Sequence, residues 1–343
     1  MRTVGEDGTA AVELSLGQAY DAQSQYALAI EHYKRSLAIF MRTVGEDGTA
    51  AVELALGQAY KDVSQYALAI EHYKRSLAIY MRTVGENGTA AVELALGQAY
   101  DRLRQYALAI EHYKRCLAIE MRTVGEDGTA AVELALGQAY DGLSQYALAI
   151  EHYKRCLAID MRTVGEDGTA AVEVALGQAY NGLSQCALAI EHYKRSLAIE
   201  MRTVGENGCI VVLNSLGNAH TRLQDHESAL AYFQRAVRIC DDNAELSVLH
   251  RPRSLADLEA CQQRVEQSRA RMATTIALEK DKSVKQERKK CRHPGTRPMV
   301  TAADVAQADA NMAALLLEEA KSKTNGNKDG VTANSLKGVT KKK

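Results

Sequence analysis

Residues 1–20 read MRTVGEDGTAAVELSLGQAY, and nearly the same string returns at Met41, Met81, Met121 and Met161, then in altered form at Met201. Self-similarity at a fixed period between 20 and 50 residues marks a solenoid, in which each unit buries its apolar face only against its neighbours. The period here is 40, so residues 1–240 are expected to hold six stacked units. Within the first, Val12, Leu16, Ala19 and Tyr20 follow one another at i, i+4, i+7 and i+8, which is one stripe of a helix. Tyr26, Ala29, Ile30, Tyr33 and Leu37 make a second helical stripe. Each unit is thus predicted to be a helical hairpin, and the fold class all-α.

The links between helices also have a chemical reading. Gly45 stands where the end of a helix needs a residue tolerant of the left-handed conformation, and Asp47 follows where the next helix needs an N-cap. Asp7, Asn87, Asp127, Asp167 and Asn207 occupy the equivalent place. Asp and Asn cap about equally well, whereas only Asp serves as a base or a strong cation ligand, so the interchange points to capping. Inside each hairpin a short polar connection, DAQSQ at 21–25, gathers most of the differences among the first five copies. Such turns are solvated and tolerant.

The pattern resembles the tetratricopeptide repeat. The family's Leu-Gly, Tyr, small, aromatic and small positions fall on Leu16, Gly17, Tyr20, Ala29, Tyr33 and Ser36, and in the sixth copy on Leu216, Gly217, His220, Ala229, Phe233 and Ala236. The 40-residue unit, with its longer second helix, is similar to the repeats of spindle-orientation adaptors and kinesin light chains. Met41 stands where the common pattern has Pro, which removes a helix breaker and fits the longer helix. The resemblance implies a right-handed superhelical solenoid that acts as a non-enzymatic adaptor for protein or peptide partners. A mid-helix glycine costs about 1 kcal/mol relative to Ala, so Gly17 reads as a packing device, opposite the small residues Ala29 and Ser36. Cys116 and Cys156 share the slot of Ser36, Ser76, Ser196 and Ala236, which makes them small core residues rather than nucleophiles or ligands.

Catalysis, cofactors and metals find no support in the pattern, because the polar residues recur every 40 positions and no one place holds a distinct acid, base and nucleophile. His32, His72, His112, His152 and His192 are too far apart, at about 10 Å per helix layer, to converge on one ion, and they are expected on a solvated outer face. Glu31 and Arg35, at i and i+4, would form a modest surface pair there.

The remaining face of the first helix carries Ala11, Ser15, Gln18 and Ala22. In tetratricopeptide proteins this face lines the concave groove, where the array would present Gln18, Gln58, Gln98, Gln138, Gln178 and Asn218 as a ladder of amides. An amide both donates and accepts, so it can bond an extended peptide's backbone whatever the side chains. The similar adaptors carry Asn at this position, which Asn218 reproduces and Gln elsewhere replaces. Chaperone-binding relatives clamp a terminal carboxylate with Lys, Arg and Asn; Leu14, Ala51, Leu54 and Ala55 stand at those places, which argues against that partner class.

Charge is unevenly spread. Residues 1–240 hold 22 Lys/Arg against 29 Asp/Glu, and residues 241–343 hold 20 against 14. Seven cysteines at no zinc-like spacing, and no apolar run of membrane or signal-peptide type, fit a reducing cytoplasmic location. Residues 241–292 are expected to form a linker and a long capping helix, N-capped by Ser254, with Leu258, Cys261, Val265, Ser268 and Met272 along its inner stripe; a weak coiled coil is the alternative. Residues 293–343 should hold a short helix, TAADVAQADANMAALLLEEAKSK at 301–323, and a disordered Lys-rich end. The spindle adaptors' aromatic and Asp-Gln-Arg elements that bind G proteins do not occur after the repeats. KDKSVKQERKKCRH at 280–293 and the closing KKK suggest an alternative function, binding nucleic acid or an anionic surface, against a plain solvated basic face; no aromatic residue follows Phe233, which argues against base stacking. Finally, Met1 has the register of Met41, inside a second helix. The array is expected either to continue upstream as a further repeat or to offer an uncapped apolar edge through which copies self-associate.

Overall fold

The computed structural model describes residues 3–290 and Gln307. Compactness divides the chain into two units, Met1–Ala270 and Arg271–Lys343. Six hairpins run in order: α1 (Thr3–Ala22) with α2 (Tyr26–Thr43), α3 (Ala50–Asp62) with α4 (Tyr66–Thr83), α5 (Ala90–Arg102) with α6 (Tyr106–Thr123), α7 (Ala130–Gly142) with α8 (Tyr146–Thr163), α9 (Ala170–Gly182) with α10 (Cys186–Thr203), and α11 (Ile210–Arg222) with α12 (His226–Asp242). A last helix, α13 (Ala244–Lys290), follows. No strand occurs among the described residues. The proposed short helix at 301–323 and the Lys-rich end lie, apart from Gln307, outside them.

The predicted stripes are the core. Val52, Leu56, Ala59 and Tyr60 of α3 are buried against Ala69, Ile70 and Tyr73 of α4, and the same set recurs in the next three hairpins to form a continuous core. In the first hairpin the stripe is open, with Val12 58% and Leu16 40% exposed where Val52 and Leu56 are 1% and 0%. The mid-helix glycine makes room for an aromatic ring rather than for the small residues: a Cβ on Gly97 would lie 2.3 Å from Cε1 of Tyr113, and the other five repeats repeat the geometry. Ser36 has a different task. Its buried hydroxyl donates to the Ala10 carbonyl at 2.9 Å and so ties the two helices of the hairpin. Cys116 and Cys156, in the same slot, are buried, and burial beside Glu120 and Asp160 pushes their thiols up to about 12, so they stay protonated.

Chain reversals follow two rules. Between repeats, Val44 and Gly45 both donate to the Phe40 carbonyl, at 2.9 and 3.0 Å, and Gly45 takes φ +88°. Within each hairpin the reversal passes through a left-handed residue that is not glycine, such as Ser64 at φ 61° and Ser144 at φ 58°. The expected N-cap at Asp47 is not there. Gly45 leads into a 3-10 turn, Glu46–Thr49, so the N-cap position of α3 falls on Thr49, which makes no side-chain capping bond. Asp47 instead accepts from Nε of Arg82 in the next repeat at 2.7 Å, as Asn87 does from Arg122 at 2.9 Å. Asp and Asn interchange because each offers that guanidinium one oxygen. No side chain is described for Asp7.

The terminal helix begins earlier than the sequence suggests. Its N-cap is Asn243, whose Oδ1 accepts from the Leu246 N–H at 3.2 Å, and Pro252 lies inside it. Ser254 is therefore not a cap: it is buried and accepts from Asn214 Nδ2 of the last repeat at 2.8 Å. Leu258 and Cys261 pack on Ala229 and Phe233, which covers the last apolar face, and Val265 is also buried. The stripe stops there, since Ser268 is exposed and Met272 is 67% exposed.

Candidate functional site: the groove of the first helices

The first helices of consecutive repeats adjoin, and their outward faces build two open clefts. One, of about 540 Å³, is lined by Gln18, Gln58 and Gln98 over a floor of Ala51, Leu54, Ala55, Ala91, Leu94 and Ala95. The other, of about 740 Å³, is lined by Gln98 and Gln138 with Ala131, Leu134 and Ala135 as floor, and by Lys61, Asp62, Asp101 and Arg102 at its rim. The floor residues explain the cleft. Ala at two places per repeat leaves room, and one Leu per repeat supplies apolar contact area.

Four of the six candidate amides thus share two neighbouring clefts, and Gln178 and Asn218 lie at the equivalent positions of α9 and α11. Their chemical states differ. Gln58 Nε2 donates to both carboxylate oxygens of Asp62 (3.2 and 3.1 Å), and its Oε1 accepts from the Tyr73 hydroxyl at 3.3 Å. Gln98 Oε1 accepts from Lys61 Nζ at 3.3 Å. The side-chain amides of Gln18, Gln138, Gln178 and Asn218 make no hydrogen bond among the described residues. The two amides engaged by the protein itself bond Asp62 and Lys61, side chains of the varied 21–25 segment that differ from copy to copy.

The rim holds carboxyls that sequence reasoning passed over. Asp21, Asp101 and Asp141 open the turn in copies one, three and four, and burial raises the pKa of each. For Asp21, Asp62 raises it further while Lys61 draws it back; for Asp101, Arg102 draws it back. Deeper in, burial also raises the pKa of the Tyr113 and Tyr153 hydroxyls, with Asp101 acting on both. One signal was available: position 21 of the repeat varies among Asp, Lys, Asn and Thr, inside the one segment where the copies differ most.

The histidines are not on a solvated outer face. His72 is 13% exposed, its Nδ1 lies 2.6 Å from Glu53 Oε2, and its ring stacks on Tyr60 at 5.2 Å. Lys34 of the preceding repeat sets its ammonium 5.7 Å over the Tyr60 ring. The same layer recurs with Lys74, Tyr100, His112 and Glu93, and twice more. Glu13 and Glu53 gave no local sign of this, because the acid and the histidine stand 19 residues apart on different helices. The expected Glu31–Arg35 surface pair is present at 3.6 Å. Among the described residues no group of three or more His, Cys, Asp or Glu is arranged to hold a metal ion, and no helix is long and apolar enough to cross a membrane.

Comparison with known proteins bears on the whole array. The tetratricopeptide-repeat profile matches residues 8–82, 48–122, 88–162 and 168–242. No curated protein sequence matches. Among solved structures, BtubC (BKLC) of P. vanneervenii is similar over 63% of this chain and 88% of its own, with 20% identity and a TM-score of 0.53. The nearly identical TPR-like repeats of a kinesin light chain-type protein from Podosopora anserina cover 56% of this chain and 95% of their own at 24% identity, TM-score 0.51. The apo form of RapI covers 75% and 99% at 13% identity, TM-score 0.56. At these identities the likeness is one of fold.

Proposed function

The chain belongs to the tetratricopeptide-repeat family, and from that premise we propose that it is a non-enzymatic, cytoplasmic adaptor that holds an extended peptide of a protein partner along the groove of its first helices. The observation that carries the reading is the pair of adjoining clefts, apolar in floor and bordered by amides, built from the same helix face of successive repeats. Such a site supplies apolar contact for a peptide's side chains and hydrogen bonds for its backbone. Gln18, Gln138, Gln178 and Asn218 are the amides free to bond a ligand; Gln58 and Gln98 would first have to release Asp62, Tyr73 and Lys61.

The test is capture of a partner from native extract with Ala95→Trp and Ala135→Trp, which fill the two clefts, against Arg75→Ala on the second helix as control. Loss with the first pair and retention with the control is expected. The reverse result places the partner elsewhere. A second reading, self-association of the 343-residue chain, is favoured by the exposure of Val12 and Leu16. Val12→Ser with Leu16→Ser should lower the mass seen in sedimentation if copies meet there, and unchanged sedimentation would remove that reading.

A further inference from the structure

Within the groove, repetition fails at one place that matters for charge. The floor is the same in copies two, three and four: Ala51, Leu54 and Ala55 become Ala91, Leu94 and Ala95, then Ala131, Leu134 and Ala135. The rim is not, since Asp21 is followed by Lys61, Asp101, Asp141 and Asn181. Lys61 shows how this groove receives a cation, its ammonium standing against Gln98 Oε1 at 3.3 Å and drawing the Asp21 carboxyl back towards its charged form. Asp101 and Asp141 have no such lysine. The repeat after Asp101 offers another carboxylate, Asp141, and the repeat after that offers the neutral Asn181. Neither carboxyl accepts a hydrogen bond or joins an ion pair among the described residues, although Arg102 lies beside Asp101. Asp101 lines the larger cleft, and Asp141 holds the equivalent position one repeat on. The amides next to them, Gln138 and Gln178, are free.

Helices in contact, as α5 and α7 are, lie about 8–10 Å apart, and a peptide extended in the polyproline II form advances about 3.1 Å per residue with three residues per turn, so side chains three residues apart face the same side at about the spacing of neighbouring repeats. We propose that the occupant of the groove is an extended peptide with two basic side chains, Lys or Arg, three residues apart, one pairing with Asp101 and the other with Asp141. Gln138 and Gln178 bond the peptide backbone, and the side chain facing Ala131, Leu134 and Ala135 is apolar. The inference rests on the adaptor reading of the groove and adds the chemical class of its partner. It also fixes where along the array the peptide sits, because the carboxylate pair occurs once among otherwise interchangeable floor units.

The test uses the full chain and fluorescein-labelled 12-residue peptides of Ala, Ser and Leu. One carries Arg at positions 5 and 8, a second carries Glu there, and a third carries Arg at 5 and 6. The 5,8 peptide is expected to bind about tenfold tighter than either of the others, a difference that falls as salt is raised. Asp101→Asn with Asp141→Asn, which keeps shape and removes charge, should erase that preference, and Ala135→Trp should abolish binding of every peptide. Equal affinity for the Arg and Glu peptides, both blocked by Ala135→Trp, overturns the cationic partner and leaves the groove reading standing. Binding indifferent to Ala135→Trp overturns both. No measurable binding of the 5,8 peptide, or retention of its preference in the double Asn variant, also overturns the proposal.

Discussion

The layer that joins one repeat to the next and the rim of the groove are built on the same hairpins, but they have kept different things. Glu53, Tyr60 and His72 recur as Glu93, Tyr100 and His112, as Glu133, Tyr140 and His152, and as Glu173, Tyr180 and His192. Over the same copies, position 21 runs from Lys61 through Asp101 and Asp141 to Asn181. The layer is enclosed, with Glu133 and His152 side chains 7% and 11% exposed, and any change there must satisfy two buried polar groups together. A rim residue has only water and a ligand to satisfy. The sixth copy sharpens the contrast, because its layer is rearranged as a set: His220 now stacks on Tyr232, with the aromatic and the histidine exchanged between helices. Leu213 fills the place of the acid, and His220 turns to Asp225 at 3.0 Å. What is kept is the stack and a carboxylate partner, not the residue types.

That comparison breaks most visibly if the layer is cut. Glu133→Ala leaves His152 Nδ1 enclosed without its acceptor and should cost about 1–3 kcal/mol in chemical denaturation. Replacing Glu133 and His152 together by Leu and Tyr, the pair found in the sixth copy at Leu213 and Tyr232, should recover part of that loss. If the single change proves silent, the buried pair does not hold the two helices of the hairpin together.

A change of comparable size is expected at Gly97. Alanine is the better helix former by about 1 kcal/mol, yet its Cβ would stand 2.3 Å from the Tyr113 ring, so Gly97→Ala should destabilise by about 1–3 kcal/mol. Gly97→Ala combined with Tyr113→Leu should be less damaged than the single variant. Equal loss in both would mean that the ring is not what the glycine accommodates.

Most of this architecture was legible in the sequence, and the parts that were not share a cause. Val52, Leu56, Tyr60 and Tyr73 announce themselves because burial repeats at 3.6 residues along a single helix. Gly45 does so because only a few residues take a positive φ readily. Glu53 with His72, Asp47 with Arg82, and Asn214 with Ser254 are partners across 19, 35 and 40 residues, and no local period connects them. The amide positions were readable from the face they occupy. That Gln58 and Gln98 are already engaged depends on Asp62 and Lys61, side chains from the variable turn.

The hairpin turn gives a smaller and opposite effect. Ser144 holds φ 58° without side-chain compensation, a conformation that costs an L-residue about 1–2 kcal/mol, while glycine loses about 0.5–1 kcal/mol in chain entropy. Ser144→Gly should therefore stabilise by about 0.5 kcal/mol, seen as a raised denaturant midpoint with unchanged slope.

The smallest expected effects are those of the rim carboxyls, and here two acids of one fold should respond to pH with opposite sign. Burial raises the Asp141 pKa, so in the folded chain it holds its proton to higher pH than in the unfolded one. Between those two pKa values the folded state binds more protons, and its stability falls as pH rises through that window. Asp225 is the reverse case: its carboxylate accepts from the Ser228 N–H at 3.2 Å, which together with the Ser228 side chain lowers its pKa. Its contribution is present above the unfolded Asp value of about 3.9 and is lost as pH falls through the folded one. Asp141→Asn should thus raise Tm slightly at pH 7 and do nothing in strong acid, whereas Asp225→Ala should lower Tm more at pH 7 than in strong acid, where the protonated carboxyl it replaces is the weaker cap. Melting curves at pH 3 and pH 7 decide it. A Tm for Asp141→Asn that falls at pH 7 would mean that the carboxylate is held by something within the chain, and the groove would then have no unmet charge to offer a ligand.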